Sequence, residues 1–348
     1  IPLDDSWDVI VVGGGPAGCA AATAAARDGA RTLLVEATGV LGGMGTSGLV
    51  PALAPYSDGE TLVYQGLARR VLEKARAAVP HEPEDKTHWV AIDPESLKRL
   101  YDDLVTEAGA KVLFMTALAA VESSEGEVDA LVVANKAGLS ALKAKVYVDC
   151  TGDADLAVWA GCEYEQGEGG SGELQPATLC FILSNVDDYG FEHLLTRGRG
   201  RKDPVLEMIK SGRYPDIVDP HFCRNLIGPS TVGFNSGHLW DVDNTDPMSV
   251  SGALMRGRQV AESFRRGLAE FAPETFGNAF LATTASLMGI RETRRIVGDY
   301  CLTVKDYQAR AGFPDEIARN NYWIDIHTTK GEVARSVDQP DHVKDRVE

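Results

Sequence analysis

The apolar positions near the start of the chain fall into two short continuous runs separated by an alanine-rich stretch. "DVIVV" reads as a strand buried on both faces, the kind found in a parallel sheet, and "ARTLLVE" reads the same way. Between them "AAATAAARDG" is a strong helix former that stops at Gly29. Farther along, "DPESLKRLYDDLVTEAG" carries Leu97, Leu100, Tyr101, Leu104 and Val105 on one helical stripe, ended by Gly109. "KVLFMTALAAVESSEGEVDALVVANKAGLSALKAKVYVDCTGD" then reads as a strand followed by a β-meander, with turns at "SSEGE" and "NKAGL" and a last strand ending at Thr151-Gly152-Asp153.

The pattern changes after residue 162. "PATLCFILSNVD" is strand-like, "DPVLEMIKSGRYPDIVDPHF" is a helix running into a proline-containing loop, and "IGPSTVGFNSGHLWDVDNTDP" has no helical period. A long helix follows, with Leu254, Val260, Ala261, Phe264 and Leu268 on its inner side. The chain therefore divides into a first domain at 1–162, an inserted α+β lobe at 163–280, a returning segment at 281–330 and a polar, flexible tail at 331–348. The expected class is α/β: a Rossmann-like domain with a parallel sheet and β-meander, carrying an α+β substrate lobe. A lobe of this kind covers the cofactor, and ligands usually lie between the two.

Glycines give the first unit its chemistry. Gly13, Gly15 and Gly18 follow the first strand as G-x-G-x-x-G. Gly13 permits the tight turn, Gly15 lets backbone approach a pyrophosphate, and Gly18 lets the helix pack hard on the strand. The leading N–H groups of that helix, around Pro16 and Ala17, offer partial positive charge to the phosphates. Glu36 closes the second strand 18 residues beyond Gly18, where an acid accepts from a ribose hydroxyl pair. A second match to the pattern, Gly167, Gly169 and Gly172, lacks a preceding apolar strand and a following helix, so it reads as a connecting loop. No separate nicotinamide-binding domain is expected. Electrons then pass directly between the cofactor and a substrate or acceptor.

Directly after Glu36 and Ala37, the loop "TGVLGGMGTSG" places Gly42, Gly43 and Met44 where a simple NAD dehydrogenase proceeds into a crossover helix. Glycines here suit close backbone approach to a bulky planar ligand. Together "GGGPAGCAAA", "LGGMGTSGLVP", "VDCTGDADLAVWAG" and "GIRETRRIVGDYCLT" resemble the FAD-dependent oxidoreductases related to the glutathione-reductase-type and fumarate-reductase-type flavoproteins, from about Asp8 to about Ile326. The resemblance implies FAD rather than NAD. It also implies that Thr151, Gly152 and Asp153 lie near the cofactor and that residues around Ala117 meet the adenine through backbone. "TGDADLAVWAG" reads independently as a helix capped by Thr151 or Asp153. The family's glycine-alanine-rich C-terminal helix is not found after Ile326. For that wall of the flavin pocket three alternatives stand: the chain is truncated, the remainder is disordered, or the wall comes from another chain, either a partner or a second copy in a homo-oligomer.

Charge and the remaining motifs narrow the activity. A formal net charge of −17 disfavours nucleic acid and anionic membranes, and the one basic stretch, Thr196 to Asp203, is short and glycine-interrupted. No run reaches the roughly 20 apolar residues of a membrane-spanning helix. Six scattered cysteines without a C-x-x-C pair suggest a reducing, cytoplasmic setting and offer no zinc motif, so no metal site is expected. Arg291, Arg294 and Arg295 stand at i, i+3 and i+4 and, if helical, share a face. Such cations orient a carboxylate or hydroxyl-rich substrate and stabilise reduced flavin, with Arg291 the candidate. The alternative is pairing with Glu292, Asp299 and nearby acids. His327, at the end of a strand "YWIDIH", is the candidate proton acceptor, against a purely structural histidine. Asn235, His238 and Trp240 are candidate pocket residues, with core or surface roles open for each. The expected function is an FAD-dependent oxidoreductase moving a hydride between a small polar substrate and flavin N5. The alternatives are an NAD-linked dehydrogenase and a non-catalytic flavin-binding subunit of a larger complex.

Overall fold

A computed structural model of the chain describes residues 1–58, 60–167, 172–194, 203–318 and 321–327. Gly169, most of the basic stretch (196–202) and the tail at 331–348 lie outside the described residues.

The first unit runs β1 (Val9–Val12), α1 (Pro16–Arg27), β2 (Thr32–Val35), α2 (Pro94–Glu107), β3 (Lys111–Leu113), β4 (Ala117–Ser124), β5 (Glu127–Asn135), β6 (Gly138–Leu142), β7 (Val146–Asp149) and α3 (Asp155–Trp159). Strands β7, β1, β2 and β3 pair in that order, all parallel, with Val12 opposite both Val35 and Asp149. Both faces are covered, which explains the unbroken apolar runs. Val11 and Leu34 pack on the α1 and α2 side with Cys19, Leu100 and Leu104. Ile10, Val12, Leu33 and Val35 point the other way, onto Leu131, Val133 and Leu142 of the meander. That meander is β6–β5–β4, turning at Glu125-Gly126, where both residues have positive φ as a two-residue hairpin turn requires.

The second unit runs β8 (Tyr164–Gln166), β9 (Ala177–Thr178), β10 (Phe181–Ser184), α4 (Pro204–Ser211), β11 (Phe222–Gly228), β12 (Thr231–Ser236), β13 (His238–Leu239), α5 (Pro247–Phe271), β14 (Phe280–Thr284) and β15 (Arg294–Ile296). Strands β11–β12–β10–β14 form an antiparallel sheet backed by α5. Phe181 stacks on Phe234 with centroids 4.8 Å apart, and Phe264 and Leu268 of α5 are buried beside them. Each such side chain contributes about 1.5–3 kcal/mol by burial, so the lobe has a core of its own.

The segment after Leu287 departs from expectation. Arg291, Arg294 and Arg295 are not on a helix: residues 290–293 have no regular structure beyond a bend at Thr293, and β15 pairs antiparallel with β8. Thr293, Ile296 and Val297 are β-branched or flank such residues, and Gly289 and Gly298 bracket the run, so strand pairing wins over helix formation. Residues 321–327, expected as a strand, have no regular structure. At α3 the N-cap is Ala154, in a left-handed conformation, rather than Thr151 or Asp153. Thr151 still serves the helix start, because its Oγ1 accepts from Asp155 N–H at 2.8 Å.

Candidate functional site: a nucleotide cradle opening on a polar cavity

The parallel arrangement brings the carboxyl ends of β1, β2 and β7 to one edge, where ligands of open α/β sheets bind. At that edge the chain must turn tightly. Gly13 has φ +96°, and a Cβ on it would stand 2.3 Å from the Cys150 carbonyl oxygen. A Cβ on Gly18 would stand 1.8 Å from the oxygen of Gly13. Both glycines are therefore required by the fold itself. Gly15 differs: nothing lies within 4 Å of its would-be Cβ, and its φ of −67° suits any residue. It opens onto empty space at the head of α1, which has no side-chain cap, with Pro16 and Ala17 exposed. Among the described residues, then, no side chain caps the leading N–H groups of α1.

Glu36 anchors this cradle. One carboxylate oxygen accepts from Gly14 N–H and the other from Thr38 N–H, each at 2.6 Å. A carboxylate has about four acceptor positions, so two remain for a ribose diol. Ala37 beside it is exposed, as are Ala117 at the start of β4 and Gly152. Thr151 and Asp153 are half-buried; Asp153 is hydrogen-bonded by the Asn244 amide. Asp149 organises the strand end, accepting from Thr151 N–H and Oγ1–H and from Ala157 N–H.

The glycine loop joins this cradle to the second lobe. Gly42 N–H donates to Gly14 O at 2.8 Å, and Gly43 packs against the Gly15 Cα. Ser47 O accepts from Ser286 and Leu287 N–H. Met44, in the same loop, lines a cavity of about 440 Å³ together with Thr178, Cys180, Asn235, Arg291 and His327. Sheet pairing places the rest of the wall. Thr178 is opposite His238 in β9–β13 and bridges Gly289 on its other side, so His238, Thr178 and Arg291 sit in adjacent rows.

Arg291 is the cation of the cavity. Its guanidinium donates to Pro176 O at 3.0 Å and to Thr178 Oγ1 at 3.4 Å, both neutral acceptors. Burial lowers its pKa, partly offset by Asp325. The other two arginines turn away. Arg294 pairs with Asp155, and Arg295 pairs with Glu292 at 3.1 Å and donates to Gly167 O. His327 is held by its backbone N–H on Gln175 Oε1 at 3.1 Å, with its Nδ1 3.0 Å from Nε2 of His238. Burial, then the charge of Arg291, pushes the His327 pKa down to about 4, leaving a neutral imidazole. Cys180 is inert as a nucleophile, since burial raises its thiol to about 12.

Of the pocket candidates, Asn235 lines the cavity and Trp240 lies behind it, its ring edge-on to His238. Asp219, His221, Gln175, Tyr322 and Asp325 belong to the same region without having been expected. Only "DPHF" and "YWIDIH", acids two residues from histidines, marked them in the sequence. All six cysteines are unpaired. Among the described residues no helix is long and apolar enough to cross a membrane.

The sequence model of the family described as FAD dependent oxidoreductase matches residues 8–346. Among solved structures, the chain is similar to a myxobacterial chondrochloren halogenase, described as a variant of FAD-dependent halogenases (16% identity, TM-score 0.51, covering 84% of this chain and 64% of that one). It is also similar to BexE, of BE-7585A biosynthesis (15%, 0.50, 84% and 54%), and to a geranylgeranyl bacteriochlorophyll reductase-like protein from Thermoplasma acidophilum (16%, 0.48, 82% and 66%). The chain thus spans between about half and two thirds of the length of these structures.

Proposed function

The chain belongs to the FAD-dependent oxidoreductase family, and from that premise we propose that it moves a hydride between a carbon of a small polar organic substrate and flavin N5. The residues present fit the cofactor. Open space over Gly15, the uncapped head of α1 and the spare acceptor positions of Glu36 match a pyrophosphate and a ribose. Gly13, Gly15, Pro16, Ala17 and Gly18 would hold the phosphates, Glu36 and Ala37 the adenosine ribose, and Gly42, Gly43 and Met44 the far end. FAD supplies the two-electron acceptor at that end.

The observation that carries the reading is that Met44 lines the same cavity as Arg291 and His327. In this cavity Arg291, bonded only to neutral acceptors, binds an anionic or hydroxyl group of the substrate and orients it. His327, neutral at physiological pH, accepts the hydroxyl or amine proton while the adjacent C–H gives up hydride. A carbinol would so give its hydroxyl proton to the imidazole, and bound FAD would supply the two-electron acceptor for the adjacent C–H. Six free thiols are in keeping with a cytoplasmic setting.

An anaerobic screen of sugars, organic acids and amines for flavin bleaching tests this. A reducing substrate is expected whose bleaching is slowed at least about 10²-fold in both Arg291→Met and His327→Gln. Bleaching at the wild-type rate in both variants would remove the two residues from the site.

A further inference from the structure

Behind the cavity wall lies a cluster that the hydride-transfer reading leaves unused. Asp219 and His238 have side chains only 3% and 5% exposed. Asp219 Oδ1 accepts from His221 N–H at 2.7 Å, and Oδ2, which has no hydrogen bond among the described residues, stands at ion-pair distance, 3.3 Å, from His238 Nδ1. On its other side, His238 Nε2 is 3.0 Å from His327 Nδ1 and 3.5 Å from Arg291 Nη2. The His221 ring stacks on that of His238, centroids 4.5 Å apart and planes 14° apart.

The hydrogen positions follow from which groups accept and which donate. An ionised carboxylate only accepts, and a guanidinium only donates. Burial works against ionisation of Asp219, yet the contact and charge of His238 and the His221 N–H hold its carboxyl below the usual range. His238 therefore has an acceptor at Nδ1 and a donor at Nε2, so its hydrogen sits on Nδ1 and its lone pair on Nε2. That lone pair faces His327 Nδ1, which must then carry the hydrogen. The lone pair of His327 is left on Nε2, since the Asp325 carboxylate, 3.8 Å away, is beyond hydrogen-bond reach of that nitrogen.

The geometry points to Asp219 and His238 as positioning residues that fix the tautomer of His327, making its Nε2 the atom that takes the substrate proton. This rests on His327 being the proton acceptor of the cavity. The arrangement has a second consequence. When His327 becomes an imidazolium, the His238 lone pair still accepts from its Nδ1, and the Asp219 charge lies one ring away to balance it. Among the described residues, the groups facing His327 are Arg291 and His238, which oppose that charge, Asp325 and Asp219, which favour it, and His221, held neutral by burial with a pKa of about 3. One ligand nitrogen from each of the three imidazoles also lies within 4.8 Å of the others, a spacing open to a metal ion. The fixed charge of Arg291 beside the His238 nitrogen opposes a divalent cation there.

Long-range proton–nitrogen NMR of the FAD-loaded protein, labelled with 15N-histidine, reads the tautomers directly. His327 is assigned by difference from His327→Gln. At neutral pH the expected result is a protonated Nδ1 and a bare Nε2 on His327. Asp219→Asn, whose amide can donate to His238 Nδ1, is expected to reverse both rings and to lower kcat about 10²–10⁴-fold with KM little changed. His238→Gln, whose amide oxygen can stand in for the Nε2 lone pair, should recover most of what His238→Leu loses, and this pair carries the comparison if Asp219→Asn does not fold. A hydrogen on His327 Nε2 in the wild type overturns the inference. So does an unchanged His327 tautomer in both Asp219→Asn and His238→Leu, or one equivalent of Zn²⁺ retained through dialysis and lost in His221→Gln. If His327→Gln leaves kcat unchanged, the proton-acceptor reading fails while the tautomer assignment still stands or falls on the spectra.

Discussion

Replacing Gly15 with alanine separates the demands of the ligand from those of the fold. The new methyl would meet no protein atom within 4 Å, and the backbone at φ −67°, ψ −177° is open to alanine. In the absence of cofactor the substitution should be neutral or slightly stabilising, by up to about 1 kcal/mol, because alanine has less freedom to lose on folding. With FAD the same methyl occupies the space through which the pyrophosphate must approach. Forcing a methyl into a well-packed contact costs about 1–3 kcal/mol, which raises Kd about 5- to 150-fold. Gly18→Ala gives the contrast. Its Cβ would lie 1.8 Å from a backbone oxygen, so the cofactor-free protein itself should lose about 1–3 kcal/mol. Thermal unfolding of both apoproteins and fluorescence titration with FAD measure the two effects. Equal FAD affinity for Gly15→Ala and wild type would show that no phosphate passes over that position.

Arginine substitutions should sort in the same manner. Arg294→Met strands the half-buried Asp155 and is expected to cost about 1–3 kcal/mol in denaturant unfolding, whereas Arg291→Met, which frees only neutral acceptors, should cost about 1 kcal/mol or less while raising KM for the bleaching substrate. Stability should also fall with acid. The His221 and His327 pKa values of about 3 and about 4 lie below the free value near 6.5, so between about pH 6.5 and 4 the unfolded chain binds protons the folded one refuses. Each ring then contributes a slope of up to about 1.4 kcal/mol per pH unit, and His221→Gln should flatten the dependence of Tm on pH over that window. Gly252→Ala, in α5 with open space around it, should raise stability by about 0.5–1 kcal/mol and leave FAD affinity untouched.

The strand–turn–helix unit was legible because its rules are local. Gly13, Gly15, Gly18 and Glu36 sit at fixed offsets within one βαβ unit, and the double-faced burial of Val9–Val12 and Thr32–Val35 shows in the sequence as unbroken apolar runs. The cavity was less legible because it is built from separate segments that sheet pairing alone brings together: Met44, Thr178, Asn235, Arg291 and His327 share no spacing. The arginine run misled for a related reason. Its i, i+3, i+4 spacing describes a helix face only if the backbone is helical, and here the partner strand Tyr164–Gln166, more than a hundred residues away, decides that it is not. Asp219 and His221 showed in the sequence only as an acid two residues from a histidine, with no periodicity to place them, since their place depends on where Phe222–Gly228 enters the sheet.

A crystal structure of the FAD-loaded protein tests the central claim most directly. The expected result has the pyrophosphate over Gly15 and the head of α1, and the flavin ring beside Met44 with its reactive edge open to the cavity of Arg291 and His327. A flavin ring lodged away from Met44, with that cavity closed off from N5 by protein, would contradict it.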